Sequence, residues 1–164
     1  MTGLLSHPHR VFGLAAAASA AGVAMALTSQ HVFDLQPCPW CILQRLIFML
    51  ITLVALAGMA WRSRAGTMVC AVVMDLLATA GISAALWQHF VAANSQSCNL
   101  TLADKIISGL GLDGAFPEIF APRASCADAV ASMLGVPYEF WSLALFAVVG
   151  ALAVLALLAQ LRRA

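Results

Sequence analysis

Residues 38–60 read CPWCILQRLIFMLITLVALAGMA. Behind a pair of cysteines spaced C-x-x-C, the run from Ile42 to Ala60 holds one charge, Arg45, and no proline. A helix rises 1.5 Å per residue, so about 20 such residues cross the roughly 30 Å of hydrocarbon in a bilayer. The run is a membrane span, and the cysteine pair sits at its mouth.

Three more runs of that kind flank it: Val11 to about Phe33, Met68 to about Phe90, and about Phe140 to Leu161. Within lipid each backbone amide must be satisfied inside its own segment, which makes the four spans helices. Composition agrees, since 63% hydrophobic against 9% charged lies far outside the soluble class. A net charge of +1 from only 8 Lys and Arg leaves no basic patch for nucleic acid. The expected fold is an all-α, four-helix transmembrane bundle forming one membrane domain over residues 1–164, with loops at about 34–41 and 91–139. In the first span Gly13, Ala17 and Ala21 recur at four-residue spacing, a pattern that lets helices approach closely.

Cytoplasmic loops hold the excess of Lys and Arg. Arg10, Arg62, Arg64, Arg162 and Arg163 fall on one side of the spans; the other side has Lys105 and Arg123 in the long loop, and Arg45 at a helix end. Both termini are therefore expected in the cytoplasm. A cleaved secretory leader also fits the basic, apolar start, and would leave three spans oriented the same way. Leu100 to Phe120 mixes Ile106, Ile107, Leu110, Phe116 and Phe120 with Asp104, Lys105, Asp113 and Glu118, which predicts a short interfacial helix interrupted at Gly109, Gly111, Gly114 and Pro117.

This topology puts Cys38, Cys41, Cys98 and Cys126 outside the cytoplasm, where disulfides form and persist. Cys70 lies within the third span and reads as a small buried apolar residue. Structural zinc calls for four ligands, usually in two close pairs, but Cys98 and Cys126 are 28 residues apart with no histidine near, so no metal is expected. A soluble thioredoxin-like domain would carry a similar motif, yet the chain has no convincing strand. Pro39 suits a first helical position, so the second span can start inside the motif with Cys41 in its first turn. The helix dipole and free amides there favour a thiolate. Arg45, four residues on, shares the face of Cys41 and adds a permanent charge; the alternative is an arginine snorkelling to headgroups. His89, at the outer end of the third span, serves equally as a polar anchor or a site residue. Trp40, Trp87 and Trp141 read as an aromatic belt, and Asp75 as a structural or protonated acid.

With these residues in place the chain resembles the disulfide bond formation protein B (DsbB) family over nearly its whole length. The resemblance rests on Cys38-Pro39-Trp40-Cys41-Ile42-Leu43-Gln44-Arg45, on one cysteine early and one late in the long loop, and on Leu134-Gly135-Val136-Pro137 leading to Phe140-Trp141-Ser142-Leu143. Tyr138 and Glu139 depart from the small-residue and proline arrangement common before that tryptophan. The resemblance implies a thiol:quinone oxidoreductase of the bacterial inner membrane, with its cysteine loops in the periplasm. Its partners would be a DsbA-like thioredoxin-fold protein, the bilayer, and a quinone cofactor, ubiquinone or menaquinone. It also implies that Cys98 and Cys126 form the disulfide offered to that partner, with Cys98 taking the mixed disulfide. Cys38 then exchanges with Cys126, Cys41 delivers electrons to quinone, and Arg45, with His89 as a further candidate, attends the quinone. Two rival readings stand beside it: a membrane thiol oxidoreductase with a dedicated substrate or reversed electron flow, and a non-enzymatic scaffold whose outer loops are stapled by two disulfides.

Overall fold

The computed structural model describes residues 8–61, 63–94, 101–129, 132–133 and 135–162. Arg62, Cys98, Leu100, Leu134 and Arg163, all singled out above, lie outside the described residues. Four long helices make an all-α bundle: α1 (Pro8–Val32), α2 (Pro39–Ala60), α3 (Arg64–Phe90) and α7 (Tyr138–Leu161). Each is long and apolar enough to cross a membrane. Between α3 and α7 come a 3₁₀ turn (Ala92–Asn94) and the short helices α4 (Leu102–Gly109), α5 (Leu112–Ala115) and α6 (Pro117–Phe120). A two-residue antiparallel ladder then pairs Ser132 with Pro137 and Met133 with Val136, turning at Gly135 with φ 79°. It is too short to add a sheet layer.

Local chemistry sets the helix ends. α1 stops where Asp34 turns left-handed at φ 51°, a conformation Asp tolerates better than most residues. Two residues before α2, Pro37 still lies outside the helix; Cys38 is the N-cap and Pro39 the first helical residue, where a missing N–H costs nothing. Ser63 caps α3 by accepting from the Gly66 amide at 3.0 Å. Thr101 and Asp104 cap α4 reciprocally, each satisfying the other's backbone amide.

Lipid tails are as apolar as leucine, so close packing rather than water exclusion holds such a bundle together. At its centre the rings of Phe48 and Phe146 stack 3.9 Å apart. Phe146 fits because α3 offers Gly81, where a Cβ would run into the ring. Phe12 likewise lies on Gly58, and Leu145 on Gly22. The expected contact face of α1 is corrected here: Ala17 and Ala21 are exposed, and the buried stripe is Val11, Phe12, Ala15, Ala16 and Ser19. The glycine that admits Phe12 sits on α2, so α1 docks there by inserting a large ring, while its own Gly22, outside the expected triplet, receives Leu145 of α7.

These contacts run α1 against α2 and α3 against α7 in antiparallel fashion, which gathers Arg10, Arg64 and Arg162 at one end of the bundle. The opposite end carries the start of α2, the end of α3 and the short helices. There Ile42, Ile107 and Phe120 form a small apolar cluster that seats α4 and α6 on α2, while Leu102, Leu110 and Phe116 stay exposed.

Candidate redox site

Three cysteines meet at that end. Cys38, as N-cap, accepts from the amide of Cys41 at 3.3 Å. The segment before Cys126 is tied to the same turn, for the amides of Arg123 and Ala124 both donate to the Pro37 carbonyl, at 3.0 and 3.3 Å. Cys126 consequently lies in hydrogen-bonding contact with Cys38, which stands between it and Cys41. All described cysteines are free thiols. The thiol of Cys38 is pushed up, first by donating to Cys126, then by donating to Cys41, and by burial. Cys126 is held below the ordinary thiol range, chiefly by that donation from Cys38 and further by the backbone N–H of Trp40. Cys70 is buried within α3, close to the arginine end and away from this cluster.

Arg45 is 4% exposed, which does not fit a side chain snorkelling to headgroups. Its Nη1 donates to Gln30 Oε1 of α1 at 3.0 Å and to the Ile119 carbonyl of α6 at 2.5 Å. Its Nε is buried and has no hydrogen-bond partner among the described residues. The side chain also interacts electrostatically with Cys41. Beside it opens a cavity of about 370 Å³, within the range of small-molecule sites. Val23, Met25, Phe48, Leu145 and Val148 form its apolar wall; Cys41, Gln44, Arg45, Gln88, Tyr138 and Glu139 form its polar end.

His89 is not among the residues lining that cavity. Its Nδ1 pairs with Glu139 Oε1 at 2.7 Å, and its ring lies against Phe90 and Phe140, so it meets the cavity only through Glu139. Trp40 departs from the aromatic-belt reading: at 7% exposed it packs inward, 6.3 Å from Trp87, because the helix start that carries it is covered by the loop of Cys126. Trp87 and Trp141 are about half exposed. Asp75 is half-buried and faces Gly150 of α7.

Sequence reasoning passed over Gln30, Gln44 and Gln88, and met Glu139 only as a departure from a pattern. All four are buried near the cavity or Arg45. Amides and acids inside apolar spans are expensive to keep, and that cost was the available signal.

Comparison with known protein families matches residues 8–156 to Disulfide bond formation protein DsbB. A Disulfide bond formation protein B of Polaromonas naphthalenivorans is 34% identical over 98% of this chain and 96% of its own length. That of Verminephrobacter eiseniae is 36% identical over 93% and 87%. Disulfide bond formation protein B 1 of Pseudomonas savastanoi is 36% identical over 74% and 72%. A clustered set of thiols on a four-helix membrane bundle, with relatives alike from end to end, makes this chain a member of the DsbB family of membrane disulfide bond formation proteins.

Proposed function

We propose that the protein reoxidises a periplasmic DsbA-type dithiol protein and passes the electrons to a quinone of the bacterial inner membrane, with both termini in the cytoplasm. The observation that carries this reading is the thiol trio: Cys38 stands between Cys126, on the loop, and Cys41, on the cavity. Soluble thiols do not enter hydrocarbon and long-tailed quinones do not leave it, so a chain of exchanges must join them at the membrane surface.

The resting protein holds disulfides Cys38–Cys41 and Cys98–Cys126. A partner thiolate attacks Cys98, and the electron pair of the broken bond leaves on Cys126. The partner's second thiol then displaces Cys98, which departs as a thiol, and the partner is released oxidised. The Cys126 thiolate attacks Cys38, forming Cys38–Cys126 and leaving Cys41 as a thiolate. Cys98 closes back on Cys126, which returns Cys38 as the thiol partner of Cys41. The backbone N–H of Trp40, which is present whatever the state of Cys38, supports Cys126 in this attack, because the nucleophile must be a thiolate.

A bound quinone supplies an acceptor for two electrons and two protons. The cavity fits such a group: its wall is apolar, and the buried, unpartnered Nε of Arg45 offers a donor to an oxygen that gains negative charge. Arg45 would hold that oxygen and favour the thiolate of Cys41 beside it. Glu139, with His89 behind it, stands where a proton can be passed to the same end.

The test is oxidation of a reduced DsbA-type protein by purified protein with added quinone. Cys38→Ser, Cys41→Ser, Cys98→Ser and Cys126→Ser should each abolish turnover, and Cys70→Ala should leave it within about twofold. Cys126→Ser should accumulate a mixed disulfide through Cys98. Disulfides that stay oxidised in the presence of the reduced partner would instead mark structural staples and end the proposal.

A further inference from the structure

Gln44 and Gln88 face each other across α2 and α3, 4% and 7% exposed. Gln44 Nε2 donates to Gln88 Oε1 at 2.7 Å, and Gln88 Nε2 donates to Cys41 Sγ at 3.4 Å. An amide has one accepting and one donating end, and the end it turns to a sulfur decides whether a thiolate there is stabilised or repelled. Gln44 settles that choice by occupying the oxygen, which leaves only the NH₂ group for Cys41.

Timing makes this contact matter. In the reduced protein Cys38 also donates to Cys41. Once Cys38 is joined to Cys126 it has no hydrogen left to give, and this is the stage at which Cys41 is the departing thiolate. The Cys41 amide is directed at the Cys38 sulfur and gives Cys41 no help. Gln88 keeps its donor throughout.

We propose that Gln88 is the hydrogen-bond donor that keeps Cys41 a thiolate after Cys38 has entered a disulfide, and that Gln44 is the positioning residue that turns the Gln88 amide to do so. The assignment rests on the exchange order given above, but its test does not need quinone.

In a Cys38→Ala, Cys70→Ala background the reduced protein has no Cys38 thiol beside Cys41, as in the exchange intermediate. Iodoacetamide labelling in detergent, quantified for each cysteine by mass spectrometry from pH 5 to pH 10, gives a profile for Cys41 with Cys126 as internal reference. Gln88→Met removes the donor. Gln44→Glu keeps size and shape, but its carboxylate accepts from Gln88 Nε2 and so swings Oε1 toward Cys41.

Both variants should move the Cys41 profile up by about one pH unit, an approximately tenfold loss of labelling rate at pH 7, and leave Cys126 in place. An unchanged Cys41 profile in folded protein overturns the proposal. So does an equal shift at Cys126, which would mean general loosening. A shift in Gln88→Met alone removes Gln44 from it. Should Gln88→Met fail to fold, the near-isosteric Gln44→Glu decides. Quinone turnover that survives Cys41→Ser would sink the proposed function without touching this result, so the two can fail separately.

Discussion

Cys38 has two neighbours competing for one proton. As the central sulfur it donates toward Cys126 and Cys41, and every contact that favours a thiolate on a neighbour favours the thiol on Cys38. The consequence is an order of reactivity. At pH 7 a group held below the ordinary thiol range is more ionised than usual, and one pushed above it is almost wholly protonated, so iodoacetamide should label Cys126 well before Cys38 in reduced protein. Cys38→Ala removes the first support of the Cys126 thiolate, and the Cys126 profile should climb toward that of an ordinary cysteine. Labelling of Cys38 ahead of Cys126 would show that the proton lies elsewhere. At this scale the cysteines and Arg45 were legible because their chemistry is written in spacing: C-x-x-C, then arginine one helical turn on. Gln44, Gln88 and Glu139 were not, since each acts through a partner on another helix and no spacing within one segment reveals it.

Helices in this bundle meet where a ring is pressed onto a glycine. Gly81 under Phe146 is the tightest case, and Phe146 is also stacked on Phe48, so the ring cannot step aside. Gly81→Ala should cost about 1–3 kcal/mol, the usual penalty of overpacking, read as a lower unfolding temperature in detergent. Gly109 ends α4 with nothing near its Cβ position, and Gly109→Ala should be close to neutral in the same measurement. Equal effects would mean that Phe146 finds room the packing does not show. The existence of the four long helices could be read from hydropathy, which is a property of each segment alone. The buried face of α1 could not, because small residues on one helix say nothing of which neighbour supplies the ring. Of the interruptions foreseen after residue 108, Gly109 ends α4, Gly111 takes φ 66° between α4 and α5, and Pro117 opens α6, whereas Gly114 lies inside α5.

At the scale of the whole molecule, a small set of polar ties among the described residues joins the loop to the bundle. Arg45 Nη1 links α2 to Gln30 on α1 and to the last turn of α6, Gln30 Nε2 reaches the Glu118 carbonyl at 3.1 Å, and the Pro37 carbonyl holds Arg123 and Ala124. The charge that faces the cavity therefore also fastens the segment that presents Cys126. The proposed mechanism assigns Arg45 to the quinone step; its attachment to Ile119 extends that proposal to the exchange between Cys126 and Cys38. The two tasks can be separated. Gln30→Leu leaves the guanidinium in place but removes one acceptor and the tie to Glu118, so it should slow formation of Cys38–Cys126 by a mild oxidant several-fold while the apparent KM for quinone changes little. Arg45→Leu should do both, slowing that exchange and raising the quinone KM by about tenfold or more, the scale of a lost charge-assisted contact. Arg45→Lys keeps the charge without the planar fork, and one ammonium cannot serve Gln30, Ile119 and the cavity in the same geometry, so its quinone KM should fall between. If Gln30→Leu raised the quinone KM as much as Arg45→Leu does, the clamp and the cavity would be one device. If Arg45→Leu left Cys38–Cys126 formation at the wild-type rate, the tie to Ile119 would have no part in bringing the loop thiol to the membrane pair.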